Sequence, residues 1–265
     1  MPVELAETTA EPPRLATVAR TAARTRWVRE LCLMVAVYAV YSLIRNLAPD
    51  QVVEAQHNAQ DILAAERLIG IDVERPINLW AAGLPGLIIP ANYYYATLHL
   101  SVTAVVLFWL YRRDATRYVR ARSVLLVMTL IALAGYWLYP LAPPRLMTGG
   151  GYIDTVRQFG LWGFTPSDDL VSLSNQYAAM PSMHVGWALW VGVAVVWLAR
   201  RRWVRVLGAL YPVATLGVVV VTANHFLLDA VAAIILFLIA PLIVNAYAEA
   251  MTRLRPGLQE AGGST

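Results

Sequence analysis

His225 and Asp229 stand four residues apart in a stretch of the chain that is otherwise apolar. On a helix that spacing puts both side chains on one face. A carboxylate there accepts a hydrogen bond from one imidazole nitrogen, which fixes the tautomer and leaves the other nitrogen as a nucleophile or base. A structural pair that only pins helix packing has the same spacing, so the pair alone leaves both roles open. Ionisable groups in apolar segments are rare and expensive. Asp229 is the sole acid within any long apolar run of this chain.

Two further elements carry chemistry. In Ala179-Met180-Pro181-Ser182-Met183-His184 a proline precedes the start of an apolar run. The exposed amides of a helix's first turn favour bound anions, and His184 falls among them. In Tyr139-Pro140-Leu141-Ala142-Pro143-Pro144-Arg145 the prolines stop an apolar run and stiffen its exit. A guanidinium on a rigid loop matches paired phosphate oxygens, although an arginine at a span end also serves as a snorkelling anchor. Two histidines, an aspartate and an arginine, without a metal-binding cluster, are what metal-free phosphoryl transfer requires. One histidine attacks phosphorus, the aspartate orients it, the other histidine protonates the leaving oxygen, and the arginine neutralises the equatorial oxygens.

These groups need helices to position them. The 265 residues are 58% apolar and 14% charged, with a mean hydropathy of +0.54, too greasy for a soluble globule of this length. Apolar runs at Leu31–Leu47, Tyr93–Tyr111, Ser123–Leu141, Val185–Ala199, Val206–Ala223 and Phe226–Tyr247 must be helices in lipid, because nothing else satisfies the backbone there. The reading is an all-α, six-span polytopic bundle. Residues 1–26 read as a disordered tail, 27–249 as the catalytic membrane domain and 250–265 as a C-terminal tail. Between the first two spans, Ile62, Leu63, Leu68 and Ile69 alternate with Asp61, Glu66 and Arg67, which predicts a short amphipathic helix on the surface. Leu79–Pro90, broken by Gly83, Pro85 and Gly86, reads as an interfacial or re-entrant piece. The lone Cys32 reads as an unpaired apolar thiol.

All 21 basic residues are arginine, which excludes lysine nucleophiles and Schiff bases. The net charge of +4 reflects arginine clusters flanking apolar runs rather than a nucleic-acid surface. Sixteen arginines fall on one side of the six-span alternation and five on the other. The positive-inside tendency then puts both termini in the cytoplasm. Arg145, His184 and His225 fall together at helix ends on the extracytoplasmic face.

Ala142-Pro143-Pro144-Arg145, then Pro181-Ser182-Met183-His184, then Asn224-His225 with Asp229 resembles the three signature motifs of the type 2 phosphatidic acid phosphatase superfamily. The likeness covers about Asn58 to Tyr247 and is nearest the branch of inositol phosphorylceramide synthase and sphingomyelin synthase-like phosphotransferases. Asn92, Tyr95 and His99 on the second span also look like a feature of that branch. The resemblance implies His225 as the nucleophile forming a phosphohistidine, Asp229 as its partner and His184 as the general acid. It implies Arg145 and Ser182 as phosphate ligands, with Asn92, Tyr95, His99 and Asn224 as substrate contacts.

The chain departs from the family pattern where the first motif's lysine is Leu138, the third motif's Ser-Arg is Val218-Val219 and the second motif's glycine is Met183. Fewer cations suit a lipid headgroup phosphotransferase, with a phospholipid donor and an alcohol acceptor, better than a monoester phosphatase. A phosphatase of phosphatidyl or isoprenyl phosphates is the alternative, and a non-catalytic transport or scaffold protein is the alternative of another class. No metal or cofactor is expected.

Overall fold

The computed structural model describes residues 28–30, 32–44, 51–161 and 176–261, with side chains as far as residue 254. The expected disordered tail, 1–26, lies outside the described residues. Residues up to Ile44 form a unit by themselves. Its described part is one helix, α1, over 28–30 and 32–44, which overlaps the first expected span. Along it Cys32 is exposed and the rings of Tyr38 and Tyr41 lie 6.2 Å apart.

The second unit, from Arg45 onward, is helical throughout its named elements. In order these are α2 (Val52–Ile69), α3 (Glu74–Ala82), α4 (Pro85–Arg113), α5 (Ala115–Leu138), a 3-10 turn (Pro144–Leu146), α6 (Thr155–Phe159), α7 (Met183–Leu198), α8 (Arg202–Val221) and α9 (Leu227–Ala261). Helix starts follow local chemistry. The Asp114 carboxylate accepts the amides of Thr116 and Arg117 at 3.1 and 3.0 Å and so opens α5, and Asp154 accepts those of Val156 and Arg157 to open α6, each satisfying donors that a helix leaves orphaned.

Among the described residues four helices are long and apolar enough to cross a membrane: α4, α5, α8 and the Leu227–Leu254 part of α9, with mean hydropathies of 1.3, 1.7, 2.0 and 2.8. Helix α7 is equally apolar but has 16 residues, short of the roughly 20 that a bilayer core needs. The chain is an all-helical, multi-pass membrane protein. Large apolar side chains such as Val105, Phe108, Leu130, Val213, Leu238 and Leu242 stand exposed, the arrangement expected where lipid rather than water is the neighbour. Helix α7 packs against α4, α5, α8 and α9. It buries Trp187 and Trp190, whose indole N–H groups donate to Thr129 Oγ1 at 3.2 Å and to the Ala121 carbonyl at 2.8 Å.

Two sequence expectations need correction. Pro85 to Pro90 belongs to α4 and is not a separate re-entrant piece. The break falls at Gly83 and Leu84, and Pro85, pre-set for a first helical turn, starts the long helix. The helix expected at 61–69 exists, but it is longer and its buried face is different. Leu68 and Ile69 are 87% and 60% exposed, whereas Glu66 is fully buried with Ala55, Ala59 and Leu63. The reason is tertiary: Glu66 is a hydrogen-bond acceptor for another helix, as shown below. In addition, α9 continues through Ala261, into the segment expected as a C-terminal tail.

Helices α7 and α8 approach each other closely at two glycines. A Cβ on Gly192 would sit 2.7 Å from the Gly208 carbonyl oxygen, and one on Gly208 would sit 2.7 Å from Val195 Cγ1. Overpacking of this kind costs about 1–3 kcal/mol. Gly192→Ala will therefore lower the unfolding temperature in detergent. Gly217→Ala on α8, with nothing within 4 Å of its Cβ, will leave stability equal or higher by up to about 1 kcal/mol. Equal stability of the two variants would show that the α7–α8 contact is looser than described.

Candidate active site

The site forms where α8 ends and α9 begins. Helix α8 closes with the Asn224 and Ala223 amides bonded back to the carbonyls of Val219 and Val220, both at 2.9 Å, a Schellman-type end that requires a left-handed residue. That residue is Ala223, at φ 51° and fully buried. A non-glycine residue in this region carries strain of about 1–2 kcal/mol. The turn delivers Asn224, His225 and Phe226 as a non-helical lead-in to α9.

His225 therefore precedes the helix that was expected to carry it, yet it meets Asp229. Its Nδ1 lies 3.2 Å from Asp229 Oδ2. Asp229 is the third residue of α9, and its Oδ2 also accepts the Phe226 amide at 3.0 Å, the reach-back of a capping box. Two more buried carboxylates complete the start of α9. Glu74 Oε1 accepts the Leu227 amide and Glu66 Oε1 accepts the Leu228 amide, each at 2.8 Å. Three consecutive amides thus each receive a different carboxylate. Because Asp229 accepts at Nδ1, the proton sits there and Nε2 keeps its lone pair. Nε2 is buried without a hydrogen-bond partner among the described residues.

His184 stands opposite. Its ring centroid is 5.7 Å from that of His225, at an interplanar angle of 55°. Ser182 caps α7 by accepting the Val185 amide at 3.5 Å, and its own amide donates to the Asp229 carbonyl at 3.1 Å, which ties the two histidine-bearing helix starts together. Tyr95 stacks on His184 at 4.0 Å between centroids. His99 packs on it at 4.2 Å, and its Nδ1 lies 3.2 Å from the Tyr95 carbonyl. Ring contacts on two sides leave His184 few orientations.

Arg145 sits in the 3-10 turn after α5. Its backbone amide donates to the Ala223 carbonyl at 2.9 Å. Its guanidinium donates from Nε to Asn224 Oδ1 at 2.8 Å, from Nη1 to Asp154 Oδ2 at 2.8 Å and from Nη2 to Gln176 Oε1 at 3.1 Å. Asn224 is steadied in turn by its Nδ2 bond to Thr222 Oγ1 at 2.8 Å. Helix α2 holds the loop through Asn58 Nδ2 to the Pro140 carbonyl and Gln56 Nε2 to the Leu146 carbonyl, both at 2.8 Å. Helix α3 holds the end of α8 through Asn78 Nδ2 to the Val221 carbonyl at 2.9 Å.

The structure brings together His184, His225, Asp229, Tyr95 and His99, with Arg145 and Asn224 bonded to each other beside the same turn. The Ser182 hydroxyl acts as a helix cap. The Asn92 amide is bonded to Thr155, donating to its carbonyl at 3.1 Å and accepting from its hydroxyl at 2.7 Å, a buried clasp between α4 and α6. Sequence reasoning missed Asp154, Gln176, Glu66 and Glu74. The first two stand in polar loops, Glu66 lies on a helix read as surface-lying, and Glu74 falls in the polar stretch between the first two expected spans, so no local pattern marked any of them. Among the described residues no three His, Cys, Asp or Glu side chains are arranged to hold a metal ion.

A multi-pass helical protein with two facing imidazoles, a buried aspartate and a loop-borne arginine at its helix ends defines the class. The family model described as the PAP2 superfamily matches residues 60–243, and the chain belongs to that superfamily. It is also similar to the phosphoinositol dihydroceramide synthase of Bacteroides thetaiotaomicron, 27% identical over 176 residues, covering 54% of this chain and 56% of that protein. The chain thus spans little more than half the length of this curated relative. No solved structure matches the chain.

The Arg145–Asp154 pair is largely enclosed, at 17% and 13% side-chain exposure. Removing one partner of such a pair strands the other's charge at a cost of about 2–3 kcal/mol. Arg145→Ala will therefore lower the unfolding temperature in detergent, and Arg145→Ala with Asp154→Ala will recover part of the loss. A double variant as unstable as the sum of the singles would mean that the pair carries no coupling.

Proposed function

We propose that this protein is a lipid headgroup phosphotransferase working through a phosphohistidine, with a phospholipid donor such as phosphatidylinositol and a ceramide-type alcohol acceptor. The observation that carries the reading is His225, anchored by Asp229 at Nδ1, with Nε2 unbonded among the described residues and the His184 ring centroid 5.7 Å from its own. Membership of the PAP2 superfamily and the name of the Bacteroides relative point the same way.

In the first half-reaction His225 Nε2 attacks the donor phosphorus. The bond from phosphorus to the diacylglycerol oxygen breaks, and His184 protonates that oxygen as it leaves. Asp229 stabilises the imidazolium that forms. In the second half His184, now neutral, takes the acceptor hydroxyl proton. The acceptor oxygen attacks phosphorus, the P–N bond breaks, and His225 regains its lone pair. Arg145 and Ser182 face the phosphoryl oxygens, with Asn224 orienting the guanidinium. Tyr95 and His99 border the lipid on α4, and Asn92, clasped to Thr155, holds α4 against α6.

The cations absent at Leu138 and Val219 favour a singly charged diester over a doubly charged monoester. Six spans follow if α1 and the short α7 cross together with α4, α5, α8 and α9. The arginine distribution then puts both termini in the cytoplasm and the site at the outer face.

Reconstituted protein will convert phosphatidylinositol and a fluorescent dihydroceramide into a phosphoinositol ceramide, unaffected by chelator and inhibited by vanadate. His225→Ala will abolish conversion, and Asp229→Asn, which upsets the tautomer, will slow it by about 10²–10⁴-fold. Release of inorganic phosphate from phosphatidic acid without any acceptor, and no transfer from the diester, would instead establish the phosphatase. Indifference of both reactions to His225→Ala would remove the catalytic reading altogether.

A further inference from the structure

Glu66 on α2 and Glu74 on α3 are both fully buried, and the mechanism above does not use them. Each gives Oε1 to an amide in the first turn of α9. Each has an Oε2 that meets no donor among the described residues, and the two carboxyl groups, held on adjacent amides of one helix turn, are close enough to act on one another. Two ionised carboxylates so placed would repel, with Asp229 as a third negative charge close by. A single proton between the two Oε2 atoms answers both orphaned acceptors at once. The geometry points to Glu66 and Glu74 as positioning residues for the transfer reaction: a carboxyl pair that shares one proton, seats the first turn of α9, and keeps a single negative charge behind the His225–Asp229 dyad.

The inference rests on the transfer reading, since it assigns the pair a part in that chemistry. Its energetic setting agrees. Burial foremost, then the neighbouring Glu74 and Asp229 charges, push the Glu66 carboxyl up to about 8, against the opposing effect of the Leu228 amide. The other ionisable groups around the pair are Asp229 and His225 from the start of α9, Tyr152 from the loop before α6, Arg67 on α2 and Arg75 on α3. Arg67 is paired with Asp72 at 3.5 Å, and Arg75 donates to the Gly151 carbonyl at 3.4 Å. Burial and then the two glutamates hold Tyr152 at about 12, so it stays neutral throughout the range in which Glu66 titrates.

The folded protein keeps a proton on Glu66 that the unfolded chain releases near the ordinary value of 4.5. Stability from this group is therefore complete below that value and is lost as pH rises through about 8. Above it a second buried charge forces the carboxylates apart, loosens the amides they hold and displaces His225.

The test compares wild type with Glu66→Gln, Glu66→Ala and Glu74→Gln, as full-length protein reconstituted with phosphatidylinositol and fluorescent dihydroceramide. Glutamine at 66 keeps an acceptor for the Leu228 amide and offers a fixed N–H to Glu74, copying the protonated acid. Wild-type kcat will fall with a midpoint near pH 8. Glu66→Gln will stay within about threefold of wild type at neutral pH and will lose that alkaline limb. Glu66→Ala and Glu74→Gln will lower kcat by about tenfold or more with little change in KM.

A second readout needs no lipid substrate: carbethoxylation of His225 by diethyl pyrocarbonate, followed by peptide mass spectrometry, will show the same wild-type break near pH 8 and its absence in Glu66→Gln. A Glu66→Gln profile that keeps the wild-type limb in both readouts overturns the pair's role, as does a Glu66→Ala enzyme with unchanged kcat. If no variant and no wild type transfers lipid, the transfer reading fails on its own, while the carbethoxylation profiles still decide the pair.

Discussion

A helix start enclosed in an apolar bundle has donors that water cannot reach, and a carboxylate there has acceptors with the same problem. At the beginning of α9 each solves the other. Asp229 takes the Phe226 amide, Glu74 the Leu227 amide and Glu66 the Leu228 amide. Hydrogen bonds to ionised groups contribute about 1.5–3 kcal/mol each, and a buried partner left alone costs a similar amount. Removing any one of the six groups therefore exposes its neighbour to that penalty, and the turn behaves as a unit. Since His225 lies one residue ahead of Phe226 and is bonded to Asp229, its position is set by this unit and not by α9 alone.

The remaining site parts are attached to the same turn from other directions. Ser182 donates its amide to the Asp229 carbonyl, so the helix bearing His184 is registered against the helix bearing Asp229. Arg145 donates its amide to the Ala223 carbonyl and its Nε to Asn224, so the proline-stiffened loop is registered against the end of α8. Ala223 can remain at φ 51° because these bonds, with the Schellman closure, outweigh strain of about 1–2 kcal/mol. Helices α2 and α3 act as a brace, through Asn58, Gln56 and Asn78 on the loops and through the two glutamates on α9.

The helices were legible in the sequence because apolar length in lipid leaves the backbone no alternative. Prolines marked their edges. His184, His225, Asp229 and Arg145 were legible because a polar group in an apolar run, or next to a proline-rich stop, is anomalous wherever it occurs. The i, i+4 argument paired His225 with Asp229 correctly, but through the wrong geometry: a non-helical lead-in and a capping carboxylate achieve the same contact. The buried face of α2 was not legible. Glu66 among Ile62, Leu63, Leu68 and Ile69 reads as the wet side of an amphipathic helix. Only the orphaned amides of a helix 162 residues away along the chain turn it inward. Asp154 and Gln176 were hidden for the same reason, because their partner is fixed by tertiary placement and not by spacing.

Charge accounting ties the site to the proposed substrate. Arg145 brings a guanidinium to the turn that carries His225, bonded to Asn224, and its charge is already opposed by Asp154 at 2.8 Å. Behind His225 stands Asp229, with the glutamate pair beyond it. A doubly ionised phosphate monoester entering such surroundings would face more negative charge than positive. A phosphodiester carries half that charge, and its diacylglycerol oxygen leaves once protonated, which a single neighbouring imidazolium can accomplish. The exposed aliphatic flanks of α4, α5, α8 and α9 are surfaces that the acyl chains of bilayer lipids can lie against. The scarcity of cations, which sets this chain apart from the family's phosphatase pattern, and the surplus of buried carboxylates around α9 thus favour the same kind of donor.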